Sequence, residues 1–110
     1  MTLPNGRRAT VDATKLRDYV LSSDHPRGRH KARVFASALG LTAVHMDVLR
    51  EGLLAAAAEG DAVASGSDRF GSRYRVDFVL RGPRGEAVVS SLWIVRVGED
   101  APRFITCWVQ

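Results

Sequence analysis

The densest group of chemically capable side chains is His25-Pro26-Arg27-Gly28-Arg29-His30-Lys31-Ala32-Arg33. It holds two histidines, three arginines and one lysine in nine residues, with no acid. Metal-free cleavage of RNA needs a base for the 2′-hydroxyl, an acid for the leaving oxygen, and cations for the charged transition state. Histidine transfers protons near neutral pH, and arginine and lysine suit the phosphate. The stretch supplies all of these where a loop meets a helix N-terminus, itself a favourable place for an anion. Two blander readings use the same residues: a solvated, positively charged turn, or a surface that grips phosphate without chemistry. On residue types alone these carry more weight than catalysis.

Other chemistries find less support. His25 and His30 could ligate a metal, but no carboxylate or third histidine stands at a suitable spacing. Arg27 and Arg29 would also repel a cation, so no metal site is expected. There is no Gly-rich dinucleotide or phosphate loop, no HExxH and no cysteine pair, and no cofactor is expected. His45 falls in an acidic stretch and reads as a surface or packing residue. Trp93 and Trp108 fall in strand-like segments, where aromatic core is the default, although one facing a groove could stack on a base. Tyr74 stands at a strand entrance among basic residues. Arg103 and Thr106 are three apart on one strand, hence on opposite faces unless a bulge or strong twist intervenes.

The elements that must position these groups follow from periodicity. Asp12 is placed to cap a first helix carrying Lys15, with Leu16 and Val20 on one face. Ser22 to Pro26 breaks it. A second helix runs from near Gly28 to Leu39, with Gly40 at its C-terminal cap. Thr42 caps a third, whose buried stripe is Val44, Val48, Leu49, Leu53 and Ala56, and Gly60 ends it. A short strand near Ala62–Ser65 is weakly signalled. Residues 73–80 alternate, with Tyr74, Val76, Phe78 and Leu80 on one face and Arg73, Arg75, Asp77 and Val79 on the other. Residues 87–97 are apolar on both faces and read as a central strand, and 103–109 form the last strand. The expectation is an α+β fold, about three N-terminal helices packed on a three- to four-stranded antiparallel meander. It is read as one domain, 1–110, with an extended lead-in (1–10), a helical part (11–60) and a sheet (61–110).

A chain of 110 residues with 45% hydrophobic and 25% charged residues suits a globular domain. No apolar run approaches a membrane span. The N-terminal MTLPNGRRATVD lacks the apolar core of a signal peptide, and a lone cysteine, Cys107, fits a reducing compartment. A cytoplasmic location is therefore expected. The net charge is +4 and uneven. Residues 1–40 hold eight Lys/Arg and three Asp (+5), residues 41–70 two and five acids (−3), and residues 71–110 six and four (+2). Only Lys15 and Lys31 are lysines; the remaining basic residues are arginines. Arginine suits bidentate phosphate contacts, but the same bias also follows from a GC-rich genome.

Several segments together resemble a family of small, uncharacterised bacterial domains. They are LPNGRRATVDATKLRDYVLSSDHPRGRHKARVF followed by FASALGL, then FGSRYRVDFVLRGPRGEAVVSSLWIV, then GEDAPRFITCWV. Relatives of that family occur as C-terminal modules of contact-dependent or polymorphic toxins and as stand-alone genes beside a small antitoxin. The resemblance covers almost the whole chain. It rests on Lys15 and Leu16, the His25-Pro26-x-Gly28 turn, Lys31 and Ala32, and the strand with Gly71, Tyr74, Val76 and Asp77. Trp93 and Ile94, then Pro102, Arg103 and Thr106, complete it. Cys107 departs from the pattern, where relatives carry a small residue. The order of elements is similar to the barnase, EndoU, colicin and RelE-type ribonuclease fold.

The resemblance implies a metal-independent ribonuclease of toxin type, acting on RNA and neutralised by a small antitoxin or immunity-type protein. His25, Lys31, Arg103 and Thr106 would be catalytic: His25 as base or acid, Lys31 and Arg103 stabilising the phosphorane, Thr106 positioning the phosphate. Lys15, Arg27, His30, Tyr74 and Trp93 would bind substrate. Three rival readings stand beside it. One is a nucleic-acid-binding module without catalysis. Another is an interaction subunit that touches no nucleic acid. The third, an ADP-ribosyl transferase, lacks a nicotinamide signature and a well-placed glutamate. Oligomeric state is left open.

Overall fold

The computed structural model describes residues 1–21 and 29–110. The catalytic and binding expectations for His25 and Arg27, with Pro26 and Gly28 of the same turn, lie outside the described residues. The architecture is the expected α+β arrangement: helices packed on one face of a four-stranded antiparallel meander in the order β1-β2-β3-β4.

Helix α1 (Ala13–Lys15) begins where expected, because the Asp12 carboxylate accepts the Thr14 amide at 2.9 Å. It then widens into a π-helical turn, Leu16–Val20. There the Leu21 amide reaches the Leu16 carbonyl at 2.9 Å, five residues back. Leu16 and Val20 are fully buried. Helix α2 (Arg29–Leu39) turns Ala32, Phe35 and Leu39 into the core. Gly40 ends it with φ +72°, a left-handed conformation that suits glycine.

The third helical segment departs from expectation at its start. Its first turn, Ala43–His45, is 3₁₀, and regular α3 starts only at Met46, running to Glu59. Val44, in that tighter turn, is 86% exposed and Val48 40%, while the expected Leu49, Leu53 and Ala56 are buried, together with Ala57. His45 plays a structural part here, since its Nδ1 accepts the Thr42 amide at 3.1 Å and caps this turn.

Strand β1 (Ala62–Asp68) is longer than its weak signal suggested. Strands β2 (Gly71–Gly82) and β3 (Gly85–Arg96) form a long hairpin, closed by Pro83-Arg84 and paired from Gly71↔Arg96 to Gly82↔Gly85. Its tip docks on the end of α2, where the Arg84 amide donates to the Leu39 carbonyl at 3.0 Å. That bond satisfies one of the acceptors a helix end leaves open. A Cβ on Gly82 would stand 2.2 Å from the same carbonyl oxygen, so only glycine fits this approach.

Strand β4 (Arg103–Val109) pairs with β3, and the lead-in adds one parallel bridge to its other side. There the Thr10 amide donates to the Pro102 carbonyl at 3.1 Å and the Phe104 amide to the Thr10 carbonyl at 3.0 Å.

Val76, Leu80, Val89, Trp93, Phe104 and Cys107 close the core against the helices. At its centre Trp93 Nε1 donates to Ser91 Oγ at 2.9 Å, and that hydroxyl donates to the Val76 carbonyl at 2.7 Å. The indole also meets Phe104 edge-on, with centroids 5.6 Å apart. Two buried polar groups are thus satisfied inside an apolar layer. No single helix among the described residues is long and apolar enough to cross a membrane.

The core can be probed at Trp93 and at Cys107. Trp93→Ala should lose about 3–5 kcal/mol, from the lost aromatic volume and the lost hydrogen bond to Ser91 Oγ, read as a fall in the urea midpoint. Burial lifts the Cys107 thiol from 9.0 to about 12, opposed only by the nearby Lys31 charge. Because the folded value lies above the unfolded one, this contribution to stability is intact below pH 9 and is lost as pH rises towards 12. Cys107 should resist thiol reagents at about pH 8 until urea unfolds the chain. Between about pH 9 and 11 the urea midpoint should fall more steeply than in Cys107→Ala.

Candidate functional site

The helices leave one face of β2–β4 open. Pleating assigns Arg73, Arg75 and Asp77 of β2 to that face, paired with Ile94, Leu92 and Ser90 of β3. On β4, Arg103 pairs with Ile94 and Thr106 with Leu92. Those two partners are two residues apart and share a face, whereas Arg103 and Thr106 are three apart. The extra residue is a bulge between the Leu92 and Trp93 pairings, where Ile105 is left over. The bulge brings Arg103 and Thr106 to one face, the condition on which a joint role depends.

Lys31, in the first turn of α2, completes this arrangement. Its Nζ donates to Thr106 Oγ1 at 2.9 Å and stands 5.8 Å from the centre of the Trp108 ring. Trp108 pairs with Ser90, on the open face, and the Arg75 guanidinium lies 5.6 Å from its ring centre. The indole is thus flanked by two cations. His30 is exposed beside Lys31, and α2 has no acid in its first turn to offset Arg29, His30 and Lys31. A helix N-terminus crowded with cations is stabilised by an anion.

Lys15 approaches from α1, with Nζ 5.9 Å from the Phe104 ring centre. Burial lowers its pKa; the Asp12 carboxylate raises it, and the charges of Arg96 and Lys31 lower it further. Lys15 therefore lies in the field of both Arg96 and Lys31. A hollow of about 740 Å³ opens between the Thr10–Lys15 segment and the sheet, lined by Lys15, Phe70, Arg73, Arg96 and Arg103 among others. Its charge and size suit a phosphate-bearing ligand.

The arginines of this face are held in place by carboxylates. Arg103 Nε donates to Glu99 at 2.9 Å, Arg73 to Asp68 at 2.7 Å, and Arg75 to Asp77 at 2.9 Å and to Ser90 at 3.1 Å. These pairs hold the Asp68, Asp77 and Glu99 carboxyls below their usual range; for Asp68 the Phe70 amide contributes most, then Arg73. All are exposed or partly exposed, and water screens such pairs so that they contribute little to stability. A phosphate can replace the carboxylates at small cost, while the pairs keep the guanidinium groups oriented beforehand.

Of the expected residues, the structure gathers Lys15, Lys31, Arg103 and Thr106 along β4, with His30 beside them. It does not bring Trp93 or Tyr74 there. The two are cross-strand partners on the helix-covered face: Trp93 is fully buried and Tyr74 packs partly buried against the core. Strand parity puts them on the opposite face from Arg103 and Thr106, and Trp108 is the indole on the open face. Sequence reasoning also passed over Phe70, and it did not single out Arg73, Arg75 or Arg96 from the other arginines, read only as general contacts to backbone phosphates. Phe70 had one available signal, a large aromatic in the otherwise polar turn Ser67-Asp68-Arg69-Phe70-Gly71. Among the described residues, no three His, Cys, Asp or Glu side chains come together as a metal site.

No functionally curated protein matches the sequence. Among solved structures, a chain of the contact-dependent growth inhibition toxin–immunity protein complex from Klebsiella pneumoniae 342 has a similar fold. The TM-score is 0.71 at 23% identity, covering 91% of this chain and 98% of that one. The sequence itself is matched from residue 2 to residue 110 by the model of a domain of unknown function, DUF6883, and the chain belongs to that family.

Proposed function

We propose that this domain is a toxin-type, metal-independent ribonuclease, neutralised by an immunity- or antitoxin-type protein. The observation that carries the reading is the bulge at Ile105, which sets Arg103 and Thr106 on one open face with Lys31 bonded to Thr106. The fold shared with a chain of a toxin–immunity protein complex supports the toxin class and the kind of partner. The basic balance of the chain, with a sequence pI of about 10.0, suits an RNA-acting member of such a pair.

In this mechanism Lys31 and Arg103 hold the non-bridging oxygens of the scissile phosphate, and Thr106 orients it. Their fixed charges are matched to the extra negative charge of the phosphorane. The 2′-hydroxyl attacks the adjacent phosphorus, forming a 2′,3′-cyclic phosphate, and the bond to the 5′-oxygen breaks. His25 takes the 2′-hydroxyl proton or returns one to the leaving oxygen. Lys15, His30, Arg27 and the sheet arginines hold neighbouring phosphates, which carries affinity without sequence preference.

The test is incubation of total cellular RNA with the purified protein, with and without EDTA. Discrete fragments that persist in EDTA are expected. Cleavage should slow by about 100-fold or more in His25→Ala, and it should fall strongly in Lys31→Ala and Arg103→Ala. RNA left intact by stoichiometric protein, together with harmless expression in cells, would refute catalysis. Salt-sensitive binding to that intact RNA would leave the gripping surface as the function.

A further inference from the structure

Phe70 is 57% exposed, an unusual place for a large aromatic, and it lines the same basic hollow as Lys15, Arg73, Arg96 and Arg103. It is not a loose side chain on a turn. Asp68 Oδ1 accepts the Phe70 amide at 2.9 Å, and Asp68 Oδ2 holds Arg73 at 2.7 Å. The Phe70 carbonyl accepts the Val97 amide at 3.1 Å, tying the β1–β2 turn to the end of β3. The next residue, Gly71, has φ +151°, and a Cβ there would stand 2.2 Å from the Val95 carbonyl oxygen. One carboxylate therefore fixes both an aromatic platform and a guanidinium beside it. The Arg69 guanidinium lies 4.9 Å from the centre of the Phe70 ring.

We infer that this hollow is a nucleotide subsite for single-stranded RNA, with one base stacked on Phe70 and its flanking phosphates on Arg96, Arg103 and Lys15. The inference rests on the ribonuclease reading and deepens it by naming the form of the substrate. An aromatic ring set among cations matches the two parts of an unpaired nucleotide, a π-face and a charged backbone. A base inside an A-form duplex is stacked on its neighbours and cannot offer its face to a side chain. Arg103 lines the hollow whereas Lys31 and Thr106 do not, so the stacked base lies beside the scissile phosphate and the ring itself takes no part in the chemistry.

The experiment compares binding of three labelled, cleavage-resistant 2′-O-methyl RNAs: a single strand, the same strand with abasic sites, and its duplex. The intact protein is compared with Phe70→Ala and Phe70→Trp, each checked for an unchanged urea midpoint. The intact single strand should bind wild type about 5- to 50-fold more tightly than the abasic strand. Phe70→Ala should erase that difference without changing abasic binding, and Phe70→Trp should restore it. Equal affinity for intact and abasic strands, or an unchanged preference in Phe70→Ala, overturns the subsite while leaving RNA recognition standing. Failure to bind any of the three RNAs at low salt overturns the subsite and the ribonuclease reading together.

Discussion

Everything proposed for this domain hangs on the period of a β-strand. Side chains alternate faces every residue, so two groups three apart cannot serve one surface unless the count is changed. Strand β4 changes it with one unpaired residue at Ile105. Were Ile105 paired in regular alternation instead, either Arg103 or Thr106 would face the helix-covered side of the sheet. Bulges are common where a sheet edge must aim a side chain, and here one sits beside the helix that delivers Lys31.

The rest of the molecule keeps that edge in place. The Trp93–Ser91–Val76 relay fixes the middle of the sheet, because the buried indole N–H and the Ser91 hydroxyl are both satisfied. The hairpin tip holds the end of α2 through Arg84 and Leu39, so its first turn, with Lys31, is positioned along β4. Thr10 occupies part of the outer edge of β4, leads into the Asp12 cap and so sets Lys15 beside Phe104. Edge coverage and site assembly are the same structural act. The strand edge that would otherwise be a liability is where the N-terminal segment and α2 bring their two lysines.

The electrostatics follow from this convergence. Arg96 and Lys31 repel the charge on Lys15, and partial burial makes that charge costly. Carboxylates hold the sheet arginines from the side, and those exposed contacts are cheap to exchange. A phosphate held there would relieve that repulsion and take the place of the carboxylates.

The sequence by itself determined the order of elements, the caps at Asp12 and Gly40, the alternation of β2 and the buried character of β3. Each of these is a local pattern of one or two periods, and local patterns are legible without the fold. Lys15, Lys31, Arg103 and Thr106 were singled out by the family resemblance, not by a local pattern. The sequence placed Leu49, Leu53 and Ala56 correctly in the third helix but added Val44 and Val48 to the buried stripe, because a 3₁₀ first turn before Met46 leaves no mark on the hydrophobic spacing. It assigned Trp93 and Tyr74 to the substrate, because residue type does not tell which sheet face the helices will cover. Only the tertiary structure decided that the strand count breaks at Ile105, that Trp108 and Phe70 are the aromatics set among the cations, and that Lys31 meets Thr106. Those facts depend on pairing register and on contacts between segments far apart in the chain, and no local pattern encodes them.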